Sequence, residues 1–130
     1  MTLLQPTSPS RVADDIIKAN RAFKKSNCIH LVSVAPAIQH PSDFIYLDSE
    51  NQAEFCFRPE QKYNLQRQNF KECLYINGAI YITSIEYFLK HEKFYEIHDT
   101  LLYRMQNKDS IDIDNEFQFS IVENIIKKNI

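Results

Sequence analysis

Glycine is almost missing from this chain: Gly78 is the only one in 130 residues. A P-loop or a Gly-x-Gly-x-x-Gly turn needs several glycines so that backbone amides can approach phosphate, and these residues encode neither. Cysteine is scarce and odd in number. Cys28, Cys56 and Cys73 lie far apart with no Cys-x-x-Cys pair, which argues against a disulfide framework and a zinc site and for a reduced, cytoplasmic setting. His30, His40, His91 and His98 also lack metal-ligand spacing. No apolar run is long enough to span a bilayer, and Met1 to Arg11 has neither the basic nor the apolar region of a signal peptide, so no membrane association is expected. Excess positive charge is absent as well. The formal charge is -2, with Lys and Arg scattered among Asp and Glu, so no nucleic-acid partner is expected.

What is present suits one globular α/β domain over residues 1–130. Apolar residues make up 44% of the chain, enough for a packed core. Gln5 to Pro9 reads as a loop because it holds two prolines. Arg11 to Lys25 has a helical apolar stripe at Val12, Ile16, Ala19 and Phe23, widened by Ile17. Cys28 to Val34 reads as a buried strand, so strand, helix and strand suggest a parallel crossover. Phe44 to Leu47 and Ala53 to Phe57 read as two short strands around a turn. Leu74 to Thr83 and Thr100 to Met105 are strand-like. Ser84 to Glu92 reads as a helix capped by Ser84, with Ile85, Phe88 and Leu89 on one face. Asn115 to Ile130 reads as the last helix, with Phe117, Ile121, Val122, Ile125 and Ile126 facing inward.

Three constellations are candidates for chemistry. In Ser110-Ile111-Asp112-Ile113-Asp114 an extended backbone would project Asp112 and Asp114 to one side, as oxygen ligands for a hard cation such as Mg²⁺. On spacing alone a plainer reading is favoured, in which Asp114 caps the following helix and Asp112 is solvated. In Tyr75 to Ile82, the Asn77-Gly78 pair between apolar runs is a strong hairpin signal. The alternative places Asn77 at the lip of a cleft, with Gly78 admitting a ligand or another backbone. Gln5-Pro6-Thr7-Ser8-Pro9 follows a strand and precedes a helix, where ligands of open α/β sheets bind.

Taken together and in order, Leu3 to Pro9, Asn77 to Tyr81 and Ser110 to Asp114 resemble the LLQPTSP, NGAIY and SIDID blocks of acylneuraminate cytidylyltransferases, the CMP-sialic acid synthetases, and of similar enzymes that activate legionaminic acid. The resemblance covers almost the whole chain. It implies the C-terminal part of a Rossmann-like nucleotidyltransferase sheet, with a small dimerisation insert at about residues 36–69. It implies CTP and a nonulosonic acid as substrates, Mg²⁺ as cofactor, and Asp112 and Asp114 as the catalytic metal carboxylates. Gln5, Thr7 and Ser8 would contact the sugar, Asn77 would line the same pocket, and Arg67 would meet the sugar carboxylate. Phe94 and Tyr95 match an aromatic pair used near the sugar across a dimer interface; ordinary core packing is the alternative.

The sequence also departs from the pattern. Tyr75 stands where the family usually has a second arginine, and Ser10 where a leucine is common. No segment resembles the family's basic Arg-x-x-Ser-Lys loop, which holds CTP. The chain alone is therefore expected to be catalytically incomplete. Half of a split enzyme, completed by an N-terminal fragment, and a non-catalytic sugar-binding or dimerisation module are the other readings. A homodimer or an aggregating species, rather than a stable monomer, is expected.

Overall fold

Residues 1–49, 52–56 and 71–128 are described in the computed structural model; Arg67 lies outside them. The chain divides into two compact units, Met1–Ala35 with Tyr75–Ile130, and Pro36–Leu74.

The first unit is α/β. Its helix α1, Ala13–Lys25, has Asp14 and Asp15 in the first turn and Lys24 and Lys25 in the last, matching the helix dipole at both ends. Strand β2, His30–Pro36, is buried from His30 to Ala35. Strand β1 is only Thr2–Leu3. The long strand β5, Leu74–Thr83, starts at the unit boundary and leads into helix α2, Ile85–His91. Ser84 caps α2, its Oγ accepting from the Tyr87 N–H at 3.0 Å. Strand β6, Thr100–Arg104, and helix α3, Glu116–Lys128, complete the unit.

The four strands form one sheet in the order β1-β5-β2-β6. β2 and β6 are parallel, with Leu31 opposite Leu101 and Ser33 opposite Tyr103. β1 and β5 are antiparallel, with Thr2 opposite Ile82 and Leu3 opposite Tyr81. The sheet is therefore mixed, not purely parallel, and β1 is separated from β2 by β5. Alternating apolar residues cannot reveal this, because strand direction is not encoded in which face is buried.

Ala19, Leu31, Ala79, Ile80, Ile82 and Met105 form the core, with Ile16, Ala22, Phe23, Leu101 and Tyr103 packed on it. The inward stripe of α1 is thus Ile16, Ala19, Ala22 and Phe23, whereas Val12 and Ile17 are exposed. In α2 the expected face is rotated: Ile85 and Leu89 are exposed and Phe88 packs on Phe94 at a ring separation of 4.9 Å. In α3 Val122 is buried, but Phe117 is 75% exposed, against the expectation that it faces inward.

In the second unit, β3, Ile45–Leu47, and β4, Ala53–Phe55, form an antiparallel hairpin, with Ile45 opposite Phe55 and Leu47 opposite Ala53. Every residue of both strands is exposed.

Candidate functional site

Asn77-Gly78 forms no hairpin. Both residues lie within the continuous ten-residue strand β5. Gly78 has φ +74°, a left-handed conformation that an L side chain adopts at a cost, and a Cβ there would run into Oε1 of Gln5 and lie 3.6 Å from Oδ2 of Asp112. The one glycine thus marks the point where the opening loop, β5 and the acidic segment meet. The Ile113 N–H donates to the Thr7 carbonyl at 2.8 Å, tying the acidic segment to the same loop.

Arg11 fixes the loop from its other end. Its Nη1 donates to the Ala79 carbonyl at 2.7 Å and the Gln5 carbonyl at 3.2 Å. Pro6 and Thr7 make a turn with exposed side chains, whereas Ser8 is fully buried and its Oγ has no hydrogen-bond partner.

Asn77 is 2% exposed and locked in place. Its Oδ1 accepts from Ser33 Oγ at 2.6 Å and from the Ala79 N–H at 3.2 Å, and its Nδ2 contacts Met105 Sδ at 3.5 Å. Ser33 Oγ in turn accepts from the Ile80 N–H at 2.7 Å. Its amide therefore holds the irregular backbone around Gly78 rather than opening onto solvent.

A cleft of about 360 Å³ is lined by Leu3, Gln5, Tyr81, Lys93, Phe94 and Tyr95. Gln5 thus shares a cleft with the aromatic pair of its own chain, while Asn77 is not in the lining. The left-handed Glu92, φ 54°, ends α2 and turns the chain back. Tyr95 then stacks on Tyr81 with ring centroids 6.1 Å apart and planes at 23°, while Phe94 packs on both Phe88 and Tyr81. Burial raises the Tyr81 hydroxyl above its usual range, and Tyr95 and the negative charge of Asp112 add to this. Tyr81 stays a neutral phenol, a hydrogen-bonding group within the aromatic wall it shares with Phe94 and Tyr95.

Asp112 is partly buried, and its Oδ1 is a buried oxygen with no hydrogen-bond partner. Such an oxygen is costly unless something satisfies it, and a hard cation is the natural partner of a carboxylate. Asp114 is exposed and does not cap α3 with its side chain: Asn115 Oδ1 accepts from the Gln118 N–H at 3.0 Å, and Gln118 Oε1 accepts from the Asp114 and Asn115 N–H groups. Both carboxylates thus remain available. Among the described residues no group of three or more His, Cys, Asp or Glu is placed to hold a metal. The donor set is therefore one or two carboxylates, which is what Mg²⁺ takes when substrate phosphates complete its shell.

Sequence reading missed four contributors. Arg11 adjoins the loop block, Tyr81 ends the β5 block, and Lys93 precedes Phe94, so each had a positional signal; Ser33, a lone serine in an apolar strand, had none. Tyr75 reaches the Ser110 carbonyl with its hydroxyl at 3.5 Å, at the limit of a hydrogen bond.

No protein-family model matches the chain. Among curated proteins, it is 32% identical over 117 residues to an N-acylneuraminate cytidylyltransferase of Streptococcus agalactiae, covering 90% of this chain and 28% of that protein. It is 32% identical over 127 residues to the N-acylneuraminate cytidylyltransferase of Escherichia coli O18:K1:H7, covering 97% and 29%. It is 30% identical over 128 residues to a CMP-N,N'-diacetyllegionaminic acid synthase of Legionella pneumophila, covering 98% and 53%. The chain spans about half or less of the length of these relatives.

Proposed function

We infer, from the chain's kinship with a portion of the N-acylneuraminate cytidylyltransferases, that it serves the transfer of CMP from CTP to a nonulosonic acid. In this reaction the anomeric hydroxyl of the sugar attacks the α-phosphorus of CTP. A sugar–oxygen–phosphorus link forms, the bond to the β-phosphate oxygen breaks, and pyrophosphate leaves. The observation that carries the reading is the meeting of Gln5, Gly78 and Asp112 at one point, because it joins the three blocks through which the relationship is recognised.

Each residue then has a part. Gln5, Thr7 and Ser8 would contact the sugar, with Gln5 fixed by the Arg11 clamp. Phe94 and Tyr95 would cover an apolar part of it and exclude water. Arg67 would pair with its carboxylate. Asn77 would act by positioning Gly78 and Ala79 rather than by touching the sugar. Asp112 and Asp114 would hold Mg²⁺, which when bound neutralises charge developing on the phosphates. The CTP phosphates would be held by a segment outside these 130 residues, on the same polypeptide or on a second one.

The exposed hairpin of β3 and β4 would pair with a second copy of the chain, as the dimerisation insert. A second reading, a sugar-binding module without catalysis, is favoured by one fact: the Gln5–Tyr95 cleft is built by this chain, whereas these residues hold neither a glycine-rich phosphate loop nor a basic Arg-x-x-Ser-Lys segment.

The test is to assay the 130-residue chain with CTP, Mg²⁺ and sialic acid, alone and supplemented with the N-terminal part of a cytidylyltransferase. CMP-sugar should form only in the supplemented mixture, and Asp112→Asn should abolish it. Pyrophosphate release by the chain alone at about 1 s⁻¹ or more would overturn the incompleteness. Heat on adding sialic acid with no product in either mixture would favour the binding module.

A further inference from the structure

We propose that Lys93 is a specificity-determining residue of the cleft, supplying a cation for the carboxylate of an acidic sugar. This rests on the sugar-binding reading above and adds to it a residue that the sequence blocks do not contain. Lys93 is the only charged side chain among the described residues that line the cleft. The other lining groups, Leu3, Gln5, Tyr81, Phe94 and Tyr95, are apolar or neutral hydrogen-bonders. Such a wall holds the body of a sugar but gives nothing that distinguishes an acid from a neutral hexose.

The backbone of Lys93 is fixed on both sides. Glu92 stands before it in the left-handed conformation that ends α2. Phe94 and Tyr95 stand after it, anchored on Phe88 and Tyr81. Lys93 is thus carried on a backbone anchored on both sides, and binding through it costs less than ordering a lysine from a mobile loop.

Its present partner does not hold it strongly. Lys93 Nζ lies 3.5 Å from Glu96 Oε1, with the two side chains 63% and 51% exposed. An exposed pair at that separation contributes little. A ligand carboxylate resting on the aromatic shelf would meet Lys93 in a less watery place, where a charge-assisted hydrogen bond is stronger.

The test is a two-by-two titration of the 130-residue chain at pH 7 and low salt, followed by calorimetry. N-acetylneuraminic acid and its methyl ester are the ligands, and wild type and Lys93→Gln are the proteins. Lys93 is exposed, so the substitution leaves the fold intact, and Lys93→Arg should retain binding. Wild type is expected to prefer the acid over the ester by about tenfold or more, and Lys93→Gln to lower that ratio about fivefold, the share of Arg67 being the same in both proteins. Added salt should weaken acid binding by wild type more than by the variant. Equal preference for the acid in both proteins would overturn the role of Lys93 and leave the sugar-binding reading standing. Binding of neither ligand by wild type would overturn both.

Discussion

The Ile113 N–H donates to the Thr7 carbonyl at 2.8 Å, so the acidic segment and the proline-rich loop are joined through backbone, not side chains. Substituting Asp112 or Thr7 should leave this link intact, so that a loss of function in such variants would report chemistry rather than collapse of the site.

Gly78→Ala should cost about 1–2 kcal/mol of stability, set by its left-handed φ of +74°. The clash with Gln5 adds little to that cost, because Oε1 is the free end of a flexible side chain that can swing aside. Its consequence is functional: Gln5 leaves the cleft. Thermal unfolding should show the modest loss, and sialic acid titration a weakened affinity that Gln5→Ala alone reproduces without the stability loss. An unchanged affinity in Gly78→Ala would contradict the place given to Gln5.

Ser33→Ala should destabilise by about 1–3 kcal/mol, since the Ile80 N–H and Asn77 Oδ1 each lose a partner in a fully buried place. Denaturant unfolding measures this. A change below about 0.5 kcal/mol, the range of surface substitutions, would mean that water or a rotated Asn77 replaces the hydroxyl.

Stability should fall as pH drops below about 6.5, the ordinary histidine value. Burial lowers the pKa of His30, which lies 1% exposed with Nδ1 2.8 Å from Thr83 Oγ1, while Glu96 and Asp99 oppose the shift less strongly. The unfolded chain takes up its proton first, so the contribution is intact above the unfolded pKa and is lost as pH falls towards the lower folded value. Melting curves between pH 7.5 and 5.5 should show the decline, and His30→Gln should flatten it. A wild-type curve as flat as the variant's would refute the assignment.

The hairpin should make the chain a homodimer. Ile45, Leu47 and Phe55 are 57%, 63% and 54% exposed, and the register puts them on one face of the hairpin, with Tyr46 on the other. Contiguous apolar surface of this kind is uncommon on a monomer. Light scattering should give twice the chain mass, with Leu47→Glu shifting it towards monomer. A monodisperse wild-type monomer would remove the insert's proposed role.

Much of the fold could be read in the sequence because it depends on local pattern. The Leu74–Thr83 strand came from an apolar strand-like run, the Ser84 cap from a polar residue before a helical stripe, and the two hairpin strands from short runs around a polar turn. What stayed hidden depends on distant partners. Asn77-Gly78 carries a hairpin signature, yet the Ser33 hydroxyl, 44 residues away, holds Asn77 within a strand. Phe117 and Leu89 fit an apolar period but are exposed, since period alone does not say which side of a helix meets the sheet. In the site, the three motif blocks were visible and their meeting point at Gly78 was not.

The short strand β1 follows Met1, whose carbonyl accepts from the Thr83 N–H at 3.0 Å, a link across 82 residues to the end of β5. Closing so long a loop costs chain entropy that a two-residue ladder barely repays. The β2–β6 pair closes a loop nearly as long, from His30 to Thr100, but a five-residue ladder repays it, so in folding that pair should form first and the two-residue β1 edge last. In the native state the same edge should be the first to open. Gln5 follows that edge in the chain, so the cleft should assemble late in folding and its wall should be less protected than the buried strand β2. The amides of Leu3 and Tyr81 should exchange with deuterium sooner than those of Leu31 and Val32, and a bound sugar should slow them.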